Sequence, residues 1–524
     1  DPDAIEYTLG LARALVAMAE QTEDGAERIA ASRRGVEVWE RLCAENPAEL
    51  AHQEQLTRIL SSLADQVDAT EKLAVVRREM GVWENLCAAK PAEPAYWEGL
   101  ARTLSALADQ LGADQDSLSF RKHGAEVWEK LYAEFPAELA YREELARTLS
   151  TLGAQVGAGD EGISIFRRGI ELWQGLSEEY PSETAYQVSL AKALSALADQ
   201  LDPSEEMVSI CRRAVEVWER LYALAPSERE YLESLAQRLA QLLDQSSEHD
   251  EGPDICRRGM EVWEQLCATS PLEVVYRDGF ARMVEWMAAV CDRRGQADEA
   301  EGHYRRAIEI LESLNRENPD DIALANRYLG GLLRLGDLYS SWGRLQEAET
   351  IYGRAIDVGL LLLAEQEHDV ECESMVAGLF ARMGDLYADA ERLQEAEQTY
   401  AYGLELLADS YSASPERVSI ADGLASLLTN MGALLLQLGR PEEAEAACSW
   451  SVEIWEALYS NQPTNETLRI KLADICHNLG LIQHDLGRRQ EAAVVMARYL
   501  ELEIRDEVDE LREGARLVVA AAKV

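Results

Sequence analysis

Six tryptophans, Trp39, Trp83, Trp128, Trp173, Trp218 and Trp263, stand 44 or 45 residues apart along the first half of the chain. Eight residues after each comes a proline, from Pro47 to Pro271, and five residues further a ring: His52, then Tyr96, Tyr141, Tyr186, Tyr231 and Tyr276. Three landmarks in one register over six copies define a tandem array. An array restricts the fold strongly, because each copy must be a small supersecondary unit whose apolar face is buried by its neighbours.

Within a copy the apolar spacing is helical. Ala214, Val217, Trp218 and Leu221 fall at i, i+3, i+4 and i+7, and Leu190, Ala191, Leu194 and Leu197 line a second stripe. Between two such helices lies Asp202-Pro-Ser-Glu-Glu, with a capping Asp or Ser, early acids and a proline that helix interiors exclude. The proline after each Trp helix stops that helix and admits the next. No segment alternates with period two, so the chain reads as all-α, with two antiparallel helices per unit.

The second half keeps this plan with other residues. Gly295-Gln-Ala-Asp-Glu-Ala, Gly343-Arg-Leu-Gln-Glu-Ala-Glu, Glu391-Arg-Leu-Gln-Glu-Ala-Glu, Gly439-Arg-Pro-Glu-Glu-Ala-Glu and Gly487-Arg-Arg-Gln-Glu-Ala-Ala recur every 48 residues. One copy carries Leu335-Gly336, Tyr339, Gly343, Ala348, Tyr352 and Ala355, and the next Met383-Gly384, Tyr387, Ala396, Tyr400 and Gly403. These residues resemble the tetratricopeptide repeat family, whose pattern is Leu-Gly-x-x-Tyr, then Gly, then Ala, an aromatic and Ala at fixed offsets. The same offsets map weakly onto Leu194, Ser195, Ala198, Cys211 and Ala214 of the first half, so those units look like degenerate, extended members. The resemblance implies a right-handed superhelical solenoid of about eleven helix pairs. Expected segments are degenerate 45-residue units over 1–279, 48-residue units over 280–505, and a charged capping helix over 506–524.

Composition narrows the partners. Asp and Glu number 96 against 50 Lys and Arg, a formal net charge of −46 with a sequence pI near 4.5. Phosphate contact needs concentrated Lys and Arg, so nucleic acid and anionic membrane surfaces are not expected partners. No apolar run reads as a membrane span and no signal-peptide pattern opens the chain. Nine scattered cysteines without a CxxC pair fit a reduced, cytoplasmic protein. The first residue is Asp1, so the chain is also readable as a piece of something longer.

Chemistry-bearing residues are sparse. Cys476, His477 and His484 cluster without an HExxH or a third ligand at a familiar spacing, so no metal is expected. No phosphate-binding glycine loop or GxSxG context is present, so neither a cofactor nor catalysis is expected. The tryptophans, lying in apolar stripes, read as packing. Paired arginines, from Arg33-Arg34 to Arg305-Arg306, recur in register on the second helices, with Glu37, Glu171, Glu216, Glu261 or Glu309 four residues after one member of five pairs. These read as i,i+4 pairs on a solvated face.

A second ladder, on the first helices, reads Arg13, Arg58, Arg102, Arg147 and Lys192. Seven residues on come Glu20, Asp65, Asp109, Ala154, Asp199 and, after Gln237, Asp244. In the family it resembles, these offsets belong to the concave groove that holds a bound peptide. The family's carboxylate clamp adds an Asn four residues after the basic position, where this chain has Ser62, Ala106, Thr151 or Ala196. Equivalent positions of later units carry Asp337 and Asp385. Two uses of the ladder stand side by side: a mixed-charge groove, or Arg and Asp of neighbouring units paired across the stack.

The expected function is a non-enzymatic scaffold that grips a peptide or protein segment of basic character. The alternative is a regulatory or sensor region of a larger bacterial effector with a protease, kinase or NTPase partner, since bacterial arrays resembling this one often serve such enzymes.

Overall fold

The computed structural model describes residues 2–502 except 23, 113–114, 246–251, 366–369 and 416, together with 515 and 517–519. Every regular element among the described residues is a helix. The chain divides into two compact units, Asp1–Ile255 and Cys256–Val524.

In the first unit, α1 (Pro2–Gln21) pairs with α2 (Gly25–Glu45), α3 (Leu50–Ala64) with α4 (Ala69–Ala89) and α5 (Pro94–Leu111) with α6 (Gln115–Glu134). The series continues with α7 (Leu139–Val156) and α8 (Asp160–Glu179), α9 (Thr184–Gln200) and α10 (Glu205–Leu224), then α11 (Arg229–Gln245). The division between the units falls within α12 (Gly252–Thr269). The second unit pairs α13 (Val274–Arg293) with α14 (Ala297–Glu317), α15 (Ile322–Ser341) with α16 (Leu345–Glu365) and α17 (Val370–Asp389) with α18 (Leu393–Ala413). It ends with α19 (Val418–Gln437) and α20 (Pro441–Asn461), then α21 (Glu466–Asp485) and α22 (Arg489–Glu501). Inside each unit the second helix of a pair also packs on the first helix of the next, as in a solenoid.

The proline register sets the turns between pairs. The residue before each proline closes the Trp helix, as Asn46 donates its N–H to Leu42 at 3.0 Å and Lys90 to Leu86 at 3.0 Å. Three residues later Glu49 and Glu93 donate back to Asn46 and Lys90, so proline occupies the second position of a tight turn that its fixed φ favours. The same pair of bonds recurs at Phe135/Glu138, Tyr180/Glu183, Ala225/Glu228 and Ser270/Glu273.

That turn brings each tryptophan onto the ring thirteen residues later, with centroids 5.8 Å apart for Trp39–His52 and 6.0 Å for Trp128–Tyr141. Trp39, Trp128, Trp173, Trp218 and Trp263 are buried, as packing residues. An indole hiding roughly 200 Å² contributes up to about 5 kcal/mol by area. The tyrosines also reach the preceding pair: Tyr96 Oη donates to Glu54 at 2.5 Å and Tyr186 Oη to Glu143. These bonds, with burial second, push both phenols up to about 12.

In the second unit glycine does the corresponding work. A Cβ on Gly336 or Gly384 would sit inside the ring of Tyr352 or Tyr400, and one on Gly480 would lie 2.8 Å from Met496. The turns within pairs end in left-handed glycines, Gly295, Gly343, Gly439 and Gly487, with φ between 70° and 79°. The following N–H bonds five residues back, as Arg344 to the Tyr339 carbonyl at 2.9 Å, which closes the helix end. Glu391 holds this conformation without being glycine, at φ 58°.

Charge then staples neighbours. The arginine after four of the left-handed positions reaches the preceding pair: Arg392, Arg440 and Arg488 lie 2.8, 2.6 and 2.6 Å from Glu349, Glu397 and Glu445, and Arg344 pairs likewise with Glu301. On the second helices of the first unit, the basic residue six before the tryptophan reaches an acid of the next pair. Examples are Arg33–Glu71, Arg77–Asp116, Lys122–Glu161 and Arg167–Glu206. The residue five before it reaches the preceding pair, in Arg78–Glu40, Arg168–Glu129 and Arg213–Gln174. The i,i+4 reading of Arg33 and Arg167 is therefore replaced by cross-pair bonds spanning 38 and 39 residues.

One helix, Val418–Gln437, is long and apolar enough to cross a membrane by length and composition, with a mean hydropathy of 1.4 over its best window. This corrects the reading that no run approaches such a length. Its residues Ile420, Leu424, Leu427, Leu428, Leu434 and Leu435 are buried in the core of the second unit. The expected capping helix over 506–524 lies outside the described residues apart from 515 and 517–519, which are helical.

Two measurements check this account. In denaturant titrations, Gly384→Ala should lower stability by about 1–3 kcal/mol through overpacking, whereas Glu391→Gly should raise it by about 0.5–1 kcal/mol, the left-handed Cβ cost of about 1–2 kcal/mol less glycine's own entropic cost. Raised phenol pKa values mean that the unfolded chain loses those protons first, so stability should be intact below pH 10 and fall as pH rises from about 10 to about 12. Tyr96→Phe combined with Tyr186→Phe should flatten that alkaline loss, read by helicity against pH.

Candidate functional site

The first-helix ladder occupies exposed positions because its residues lie opposite the buried stripe. On α5, Leu100, Ala101, Leu104, Leu107 and Ala108 are buried, while Arg102 and Asp109 are exposed. Arg102 lies 2.7 Å from Glu98 and Arg147 2.6 Å from Glu144, each an acid of its own helix, and both arginine side chains are 61% exposed. Lys192 reaches Glu230 of the next pair at 2.6 Å. Arg13 and Arg58 are exposed on α1 and α3.

The ladder acids have other partners. Asp65, at the end of α3, is 4.0 Å from Lys72, and Asp109 is 3.0 Å from Arg121. Asp199 holds Arg238 of the next pair at 2.6 Å. Asp244 is exposed and engaged. In the second unit Asp337 accepts from Tyr352 at 2.6 Å and Arg382 at 2.8 Å, and Asp385 from Tyr400 and, at 2.9 Å, from Asn430. None of these bonds joins a ladder cation to a ladder acid.

Three ladder residues, Asp65, Arg102 and Asp109, converge on one open cleft of about 760 Å³ between α3, α4 and α5. Its floor holds a residue that sequence reasoning missed. Glu79 is only 6% exposed, and its Oε1 accepts from Ser61 Oγ at 3.0 Å and Trp83 Nε1 at 3.3 Å. Burial raises its carboxyl above the usual carboxylate range, against the lowering effect of those two bonds. Four residues before the tryptophan, the other units place Gly35, Gly124, Gly169, Ala214 and Gly259. There the indole is buried, and Trp173 and Trp218 donate directly to Ser150 and Ser195 at 3.1 Å. Glu79 has inserted itself into that bond and left Trp83 half-buried on the cleft wall. The signal was visible as a charged residue in a slot otherwise held by Gly or Ala.

Elsewhere the chemistry is quiet. Burial pushes the Cys476 thiol up to about 12, the His477 ring lies tilted against Tyr499 with centroids 5.2 Å apart, and no group of three potential metal ligands occurs among the described residues.

The sequence pattern of the tetratricopeptide repeat matches residues 330–358 and 473–503, which hold α15–α16 and α21–α22 with their close-packed Gly336 and Gly480. Those two helix pairs are tetratricopeptide-type repeats, set among other helix pairs that pack in the same order. Such an array is a protein-interaction scaffold in the general sense. Among solved structures it is similar to BtubC (BKLC) from P. vanneervenii, at 20% identity over 49% of this chain and 94% of that one, with a TM-score of 0.37. It is also similar to the apo form of RapI, at 12% identity over 64% of this chain and 82% of that one, with a TM-score of 0.44. No curated protein matches the array's sequence.

If Glu79 is a cost to packing, Glu79→Ala, which copies the Ala214 slot, should raise the array's stability by about 1–2 kcal/mol. A lowered urea midpoint would instead make Glu79 a packing residue.

Proposed function

We propose that the array is a non-enzymatic scaffold that binds a protein or peptide segment along the exposed face of its first helices. The observation carrying this reading is a division of labour among the cations. On the second helices the recurrent basic pairs are used to staple neighbouring pairs, whereas on the first helices Arg102 and Arg147 pair with acids of their own helix and, of the ladder cations with an ion pair among the described residues, Lys192 reaches the next pair. Own-helix contacts at such exposure contribute little to stability, so they exchange readily for contacts with a partner.

The ladder contributes Arg13, Arg58, Arg102, Arg147 and Lys192, interleaved with Asp65, Asp109, Asp199 and Asp244, and the acid excess sets the overall preference. A net charge of −46 attracts a segment that is basic overall, and the arginines admit acids at repeat-spaced positions within it. Asp337 and Asp385 continue the acidic character in the second unit.

Peptides selected from a random display library on the immobilised protein should be rich in Lys and Arg, and bind more weakly at high salt. Changing Arg58, Arg102 and Arg147 together to Glu should weaken those peptides by roughly ten-fold or more while helicity and melting stay nearly intact. Unchanged peptide affinity would sink the reading; loss of the fold would assign the ladder to packing.

A further inference from the structure

We infer that the cleft between α3, α4 and α5 is a socket for one cationic side chain, lysine or arginine, of a bound segment, with Glu79 as its counter-charge and Trp83 as its wall. This deepens the scaffold reading above and rests on it for the source of the side chain.

The charge inventory of the cleft decides the sign of the ligand. Asp65 is offset by Lys72, Glu98 by Arg102 at 2.7 Å, and Asp109 by Arg121 at 3.0 Å. Among the described residues, Glu79 alone of these carboxylates has no cation paired with it; its two partners are a hydroxyl and an indole N–H, both on Oε1. Oε2 has no hydrogen-bond partner among the described residues, and Glu79 lines the open cleft. A carboxylate only 6% exposed, with neutral donors on one oxygen and the cleft alone before the other, is costly, and an arriving cation supplies the missing charge. The half-buried Trp83 face adds the quadrupole attraction that aromatic walls offer to ammonium and guanidinium groups.

The register of the array argues that this is a built feature. Five equivalent slots hold Gly or Ala, and two of those units show the direct Trp–Ser bond that the same helices form without the carboxylate. Glu79 therefore adds nothing that packing requires. Its local products are a charged floor and an indole drawn to the cleft.

The test uses small cations on the full chain with ¹⁵N-indole-labelled tryptophan, the Trp83 resonance being assigned by Trp83→Phe. Titration with n-butylammonium or n-butylguanidinium should shift the Trp83 indole saturably and leave Trp128 unmoved, while n-butanol and butyrate should do nothing. Glu79→Gln and Glu79→Ala should each weaken the response by roughly ten-fold or more; the Ala variant guards against misfolding, since Ala214 fills that slot elsewhere. A Trp83 resonance indifferent to the cations, or one responding equally in both variants, would overturn the socket. If the indole responds while no basic peptide is ever selected, the groove reading fails and the socket stands. If selected peptides bind with Trp83 silent, the reverse holds.

Discussion

A two-helix unit of about 45 residues has more apolar surface than its own pair can bury, and sharing that surface with the next pair is the constraint on which the rest depends. The tryptophans show how it is met. Each indole stands at the end of one pair, buried in all six register positions but Trp83, and touches the ring that opens the next, with the proline turn fixing the distance between them. In the second unit the same problem is solved by removing atoms: Gly336 and Gly384 let Tyr352 and Tyr400 lie against helix backbone. The first half fills its seam with large rings in register, Gly99 and Gly153 clearing space for Trp83 and Phe166, and the second half clears space for tyrosines in the same way.

Charge is organised around that seam. Exposed ion pairs contribute only about 0.2–1 kcal/mol each, so the exposed staples of the first unit, such as Arg33–Glu71 and Arg168–Glu129, do not hold the stack together. Their effect is on register. A slip of one residue would separate cation from acid in every staple at once, while an apolar seam alone tolerates small slips. The first helices, whose contacts between neighbours are fewer and whose Arg102 and Arg147 turn to their own acids, are left with charge that packing has not used.

The helix pairs were legible because period, proline and tryptophan agree, and each reports on local geometry. The partners of the arginine pairs were not. A Glu four residues away and a Glu in the next pair recur with the same register, and spacing along one chain cannot separate them; the structure chooses Glu71 for Arg33. α19 escaped for a different reason: Asp422, Thr429 and Asn430 interrupt the run to the eye, yet the window average remains apolar because leucines fill the rest. The ladder residues were visible as positions, but that Asp65, Arg102 and Asp109 share a cleft depends on Glu79 and on how α4 meets α5.

Departures from the repeat carry different information according to where they fall. Glu391 breaks the glycine rule at an exposed turn, where a left-handed side chain costs about 1–2 kcal/mol and affects one helix end. Glu79 breaks the small-residue rule at a buried slot, where the penalty is a desolvated carboxylate and the consequence reaches a neighbouring indole. In a globular core such a substitution would weaken everything packed around it. In an array, stability is close to a sum over pairs and seams, so one seam tolerates a loss that the others make up. A repeat protein is therefore free to place a site inside its own packing, and the position to look for it is the copy that departs from its siblings at a slot where packing alone would keep them alike.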